Sequence, residues 1–240
     1  MDSPRSAEPV VSTGGAARLT SRTWQEAGGI LVVPLGSTEQ HGPHLPLDVD
    51  ARIAVAVSED LVRRWRATGR DASVAPVVSF GASGEHAGFA GTISIGTDAL
   101  RQVIVEIGRS VSEWSDRLVF VNGHGGNLDA VTSAVTLLRG EGRDVTWIPC
   151  GVPGSDAHAG RTETSVMLHL DAAVVRLERA VKGNDRPLAE ILPALRERGV
   201  AGVSPSGVLG DPTGASAREG ADLLAQMCDR AWQRAQAEQQ

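Results

Sequence analysis

The segment GGILVVPLGSTEQHGPHLPLDVD (residues 28–50) runs from an apolar stretch into a crowd of metal-capable side chains. Its first part, residues 28–36, is short, apolar and bounded by glycines, the pattern of a strand buried on both faces. Its second part packs Glu39, His41, His44, Asp48 and Asp50 into the chain that follows. In extended chain, residues i and i+2 point the same way, so Glu39 and His41 face one spot beyond the strand's carboxyl end. Asp50 opens the next helical stretch, where the chain can fold back on that spot; on chemistry alone Asp48 competes with it.

Working outward, strand-like and helix-like stretches alternate. Residues 50–69 carry apolar side chains at helical spacing and stop at Gly69. Residues 72–81 read as strand. Residues 97–114 read as helix, with Thr97 or Asp98 as N-cap. Residues 116–127 read as a strand running into a Gly-rich turn, 128–142 as helix, 144–150 as strand, 162–170 as a short helix and 215–240 as a long terminal helix. Gly199 to Gly214 reads as an ordered loop. Such alternation predicts an α/β fold with a mostly parallel sheet covered on both faces. The N-terminal residues 1–17, rich in Ser, Pro, Gly and Ala, read as a flexible extension, with one domain over 18–240.

Composition excludes several classes. The 240-residue chain has 23 basic and 29 acidic residues, a net charge of -6, which argues against a general electrostatic grip on nucleic acid. No apolar run is long enough to span a bilayer, and the N-terminus lacks the pattern of a secretory signal. The two cysteines, Cys150 and Cys228, form no CxxC motif; reduced thiols in a cytoplasmic protein are expected.

Two further segments converge on the first. In RLVFVNGHGGN, His124 sits past the carboxyl end of a second apolar strand, where open α/β sheets bind ligands. Gly125 and Gly126 allow close backbone approach, and Asn127 can start a helix; the turn alone could equally be an anion-binding nest. HAGRTETS places His158 and Glu163 at the entrance to a late helix. One site could thus gather Glu39, His41, Asp50, His124 and Glu163. Three carboxylates and two imidazoles suit two divalent ions, Zn²⁺ or Fe²⁺ with Mn²⁺ possible, sharing one carboxylate. An ion pair ~4 Å apart can activate water and polarise a carbonyl, with His158 near enough to protonate a leaving nitrogen. His44 and His86 read as supporting or loop residues, His169 as a helix residue, and Cys150 as a thiol at a strand end. Arg161 is either a substrate contact or half of a surface ion pair.

PLGSTEQHGPHLPLDVDARIA, FVNGHGGN, HAGRTETSVML and GVLGDPTGASAREG together resemble the creatininase family of metal-dependent amidohydrolases, in family order and from about Thr20 to the terminal helix. The resemblance implies a three-layer α/β/α sandwich, a hexamer or similar closed homo-oligomer, and a dinuclear site. It assigns Glu39, His41, Asp50, His124 and Glu163 to the ions, with Asp50 rather than Asp48 as the bridge, and His158 and Glu39 to catalysis. One departure stands out. Creatininase itself carries an acidic residue two positions after the NGH histidine, where this chain has Gly126. That moves the expected substrate away from creatinine. GSTEQHGPHLPLDVD and DAHAGRTETSVMLHL are similar to the family's branch of mycofactocin-biosynthesis peptidases, which implies hydrolysis of a modified precursor peptide and release of its C-terminal Val-Tyr-derived unit. The alternative within the family is a small cyclic amide or formamide, of the creatinine or formamidopyrimidine type.

Overall fold

The computed structural model describes residues 17–237. The expected N-terminal extension therefore lies, apart from Ala17, outside the described residues. Four strands, β1 (Ile30–Leu35), β2 (Ala72–Val74), β3 (Arg117–Asn122) and β4 (Val145–Pro149), form one sheet in the order β2-β1-β3-β4. Every pairing is parallel. All six residues of β1 and all six of β3 are buried, which is why β1 and the centre of β3, Leu118 to Val121, read as apolar runs.

The alternating side chains of β1 divide between two helical layers. Ile30 and Val32 pack with α1 (Val49–Ala67), α4 (Arg161–Asp171) and α6 (Ala217–Ala237). Leu31, Val33 and Leu35 pack with α2 (Thr97–Val111) and α3 (Leu128–Gly140). The result is the three-layer α/β/α sandwich that the resemblance implies. The chain leaves β1 toward β2 on one side, and β3 pairs on the other. The strand order therefore reverses between β1 and β3, where doubly wound sheets open a crevice at their carboxyl ends. The register sets Leu35 opposite Asn122, so the segments carrying Glu39 and His124 leave the sheet side by side.

Close packing brings α1 to the same place. A Cβ on Gly36 would lie 2.5 Å from the Ala51 Cα, and one on Gly123 would lie 2.4 Å from the Asp50 carbonyl oxygen. Only glycines at the ends of both strands let the first turn of α1, with Asp50, settle against them.

Three local expectations are corrected. Of residues 72–81, only Ala72–Val74 is strand; Pro76 has no N–H to give, and pairing resumes only as a single bridge between Leu35 and Val78. The N-cap of α2 is Gly96, at φ 77°, with Thr97 as the first helical residue. A helix over Leu188–Arg198, α5, was not expected, because Pro193 lies inside it and interrupts the pattern. Ile191 of α5 packs with Val200, Leu209 and Phe89 in a small separate cluster. Among the described residues, no helix is long and apolar enough to cross a membrane.

Asn127 does not cap a helix with its side chain. Its Oδ1 accepts the Ala82 N–H at 2.9 Å, while its Nδ2 donates to the Gly36 carbonyl and to Asn122 Oδ1, both at 3.1 Å. It is fully buried and ties the ends of β1 and β3 to the loop after β2. Replacing Asn127 with Ala leaves the buried Ala82 N–H and the Gly36 carbonyl without this partner, at about 1–2 kcal/mol each. Urea unfolding of the metal-free variant should show a loss of roughly 2–4 kcal/mol; an unchanged midpoint would contradict this role.

Candidate metal centre

All five expected ligands meet in the crevice. Asp50 is central: its Oδ1 lies 3.3 Å from His41 Nε2 and its Oδ2 3.3 Å from His124 Nδ1. Glu39 closes one side, with Oε2 3.2 Å from His124 Nε2. Glu163 closes the other, with Oε2 3.9 Å from His41 Nε2.

Local structure aims each group. His41 Nδ1 donates to the Glu39 carbonyl at 3.2 Å, which leaves Nε2 turned toward Asp50 and Glu163. Asn122 brackets the backbone of His124, donating to its carbonyl at 2.7 Å. Glu163 stands in the first turn of α4, and its Oε2 accepts the Ala159 N–H at 2.6 Å. Ala159 has φ 52°, the one positive value outside glycine among the described residues. The strained residue thus lies between His158 and the turn that presents Glu163.

Burial makes the electrostatics severe. Glu39 and His41 are wholly inaccessible, and Asp50 is 2% exposed. Neither oxygen of Glu39, nor Asp50 Oδ2, nor His41 Nε2 has a hydrogen-bond partner. Burial opposes charge on His41, but Asp50, Glu163 and Glu39 outweigh it and lift the imidazole to about 9. His124 is likewise raised against its burial, by Asp50, Glu39 and Glu85. Asp50 is held below the carboxylate range by His41 and His124 despite burial. Burial and the Asp50 charge push Glu163 up to about 7. Protons on His41 and His124 here balance the charges of Asp50 and Glu39. Divalent cations would balance them better, and the donor set of carboxylate oxygen and imidazole nitrogen fits such ions. Ligand atoms within 4.8 Å of one another occur in three overlapping groups: Glu39, Asp50 and His124; His41, His158 and Glu163; and Glu39, His86 and His158.

His158 is 7% exposed, with Nδ1 3.8 Å from Glu39 Oε1. Its Nε2 donates to the Gln40 carbonyl at 2.8 Å, which leaves Nδ1 without a proton. Burial, with His41 and His86 nearby, holds it well below the ordinary imidazole value, so it is neutral.

His86, which the sequence leaves open as pocket-shaping or exposed, is buried, with Nε2 3.2 Å from Glu39 Oε1. Gln40 sits between two expected ligands and was passed over, since an amide has no claim on a metal. Its Nε2 lies 2.9 Å from His86 Nδ1 and 3.1 Å from the Gly207 carbonyl, so one side chain orients His86 and the loop behind it. Other candidates lie outside the cluster. Asp48 pairs with Arg52 at 2.8 Å, and Arg161 pairs with Glu219 at 2.9 Å. His169 is exposed and Cys150 half-buried. His44 supports the site from behind, with Nε2 2.9 Å from Thr164 Oγ1, next to Glu163.

A family model described as creatininase, creatinine amidohydrolase, matches residues 17–234. The mycofactocin precursor peptide peptidase of Mycolicibacterium smegmatis (strain ATCC 700084 / mc(2)155) is 56% identical over 219 residues, covering 91% of this chain and 89% of that protein. The mycofactocin precursor peptide peptidase of Mycobacterium tuberculosis (strain CDC 1551 / Oshkosh) is also 56% identical, over 226 residues, 92% of this chain and 89% of that protein. A solved structure described as "Creatininase Mn" superposes with a TM-score of 0.73 at 25% identity, covering 93% of this chain and 98% of that one.

The raised imidazole values set a pH test. A group whose folded pKa is raised stabilises the fold fully below its unfolded value and loses that contribution as pH climbs through the folded one. For His41 the window runs from 6.5 to about 9. Thermal melts of metal-free protein should therefore fall in temperature across this window, while affinity for a divalent ion measured by calorimetry should rise, since the ion displaces protons. A metal-free form that grows more stable across the window would contradict the arrangement.

Proposed function

The chain belongs to the creatininase family and is a metal-dependent hydrolase of that fold, and from this premise we propose that it hydrolyses the modified mycofactocin precursor peptide, releasing the C-terminal Val-Tyr-derived unit. The observation that carries the substrate is the 56% identity to a mycofactocin precursor peptide peptidase over 91% of the chain, against 25% to the creatininase structure.

The ligand assignment is part of the proposal. Glu39, Asp50 and His124 would hold one ion, and His41, Asp50 and Glu163 the other. When bound, the ions supply the Lewis acidity that activates water and polarises the scissile carbonyl; Zn²⁺, Fe²⁺ and Mn²⁺ all suit these donors.

The chain's own residues handle the proton. His158 is neutral with Nδ1 free, so it cannot begin as an acid. It first takes a proton at Nδ1 from the attacking water and then hands it to the departing peptide nitrogen. Glu39 Oε1, 3.8 Å away, stabilises the imidazolium in between. The Gln40 carbonyl holds the ring so that Nδ1 keeps facing the cluster.

The substrate approaches between two segments that hold these histidines. One is the loop around His86. The other is the 199–214 stretch, where the Leu209 N–H donates to the His158 carbonyl at 2.8 Å and the Gly207 carbonyl accepts from Gln40. A cavity of about 720 Å³, lined by Asp156, Arg161, Arg186 and Leu209, adjoins this stretch and offers room for a peptide. We place the protein in the cytoplasm as a closed homo-oligomer of the kind the family forms, a hexamer or similar, with two free cysteines in keeping.

His158→Gln should lower kcat on the modified precursor peptide by roughly 10²–10⁴-fold while the metal content stays at the wild-type level. Kinetics paired with elemental analysis separates this role from a ligand's. Wild-type protein should consume the peptide and leave creatinine and simple formamides untouched; the reverse preference would overturn the substrate assignment.

A further inference from the structure

Gly126 leaves no room for a side chain of its own. A Cβ there would lie 2.4 Å from the Ala82 carbonyl oxygen, 2.4 Å from Glu85 Oε1 and 2.5 Å from His124 Nε2. The space that a residue at this position would fill is already taken by a carboxylate from another part of the chain. Glu85 stands on a single 3-10 turn, Gly84–His86, between β2 and α2. Its Oε1 lies 3.3 Å from His124 Nε2, the nitrogen that Glu39 Oε2 faces at 3.2 Å.

The turn is anchored where it matters. The His86 N–H donates to the Ser83 carbonyl at 3.0 Å, and His86 Nδ1 meets Gln40 Nε2 at 2.9 Å. Ser83 Oγ is hydrogen-bonded to Ser37 Oγ, beside β1. One short turn thus brings His86 to Glu39 Oε1 and Glu85 to His124. Glu85 is not a surface acid: its side chain is 28% exposed, and it forms an ion pair with the buried His124. Donors that share an ion at about 2.0–2.2 Å in tetrahedral geometry lie about 3.3–3.6 Å apart. The separation of Glu85 Oε1 from His124 Nε2 fits such an edge.

We propose that Glu85 is a further carboxylate ligand of the metal centre, completing the half formed by Glu39, Asp50 and His124 from the loop side. The inference rests on the two-ion reading above. It makes the glycine at position 126 a requirement of the site: the acid comes from residue 85, and residue 126 must stand clear of it.

The test uses metal-free wild type, Glu85→Gln and Glu85→Asp, each titrated with Zn²⁺ by calorimetry and with Co²⁺ by visible absorption, with bound metal counted by mass spectrometry. Wild type should take up two ions. Glu85→Gln should keep one ion at wild-type affinity and bind the other at least about tenfold more weakly, with a changed Co²⁺ spectrum. Glu85→Asp, which keeps the charge, should recover part of the loss. The metal-free far-UV spectra of all three should coincide, which separates ligand loss from misfolding. Two ions bound by Glu85→Gln at wild-type affinities would overturn the role of Glu85 alone; a wild type that takes up no ion would overturn the two-ion reading with it.

Discussion

Glu39 holds a carboxylate wholly inside the protein with neither oxygen hydrogen-bonded, and His86, His124 and His158 stand around it. A bare buried carboxylate costs several kcal/mol unless positive charge lies next to it. That constraint organises the crevice. Asp50 and Glu163 share the load, and each sits in the first turn of a helix, where the helix dipole favours an anion. Glu39 has no such help, since it lies on a loop. Its compensation must come from imidazolium or from a cation, and the same geometry that makes it costly would suit it to hold a metal ion.

The polar shell around the cluster is shaped by two amides. Asn127 fastens the strand ends and the loop after β2, so the crevice keeps its width. Gln40 fastens His86 and His158 through its side chain and its carbonyl. Gln40 thereby decides which nitrogen of His86 and of His158 faces Glu39. For His158 that choice turns Nδ1 toward Glu39 Oε1.

Much of this was legible in the chain. β1 and the centre of β3, Leu118 to Val121, are apolar because both their faces are covered, and the proposed ligands that follow stand in GSTEQH and NGHGGN. The helix that presents Glu163 was equally plain. What escaped notice depends on contacts between distant segments. Glu85 and His86 lie in a Gly-rich loop whose periodicity says nothing about burial; only the packing of that loop against Ser37 and Gln40 turns them inward. Gln40 was hidden by its neighbours, which carry the conspicuous chemistry. α5 was hidden by Pro193, and β2 was overextended because Pro76 ends its pairing sooner than the apolar pattern ends. Gly126 could be read only as an absence until the carboxylate that occupies its space came into view.

On the proposed assignment Asp50 would be shared between two ions, one beside Glu39 and His124 and the other beside His41 and Glu163. Anomalous X-ray diffraction from crystals of the Zn²⁺-loaded protein, collected on both sides of the zinc edge, addresses it most directly. Two anomalous peaks per chain, with Asp50 touching both, are expected. A single peak, or a peak held by Glu39, His86 and His158 with none at Asp50, would contradict it.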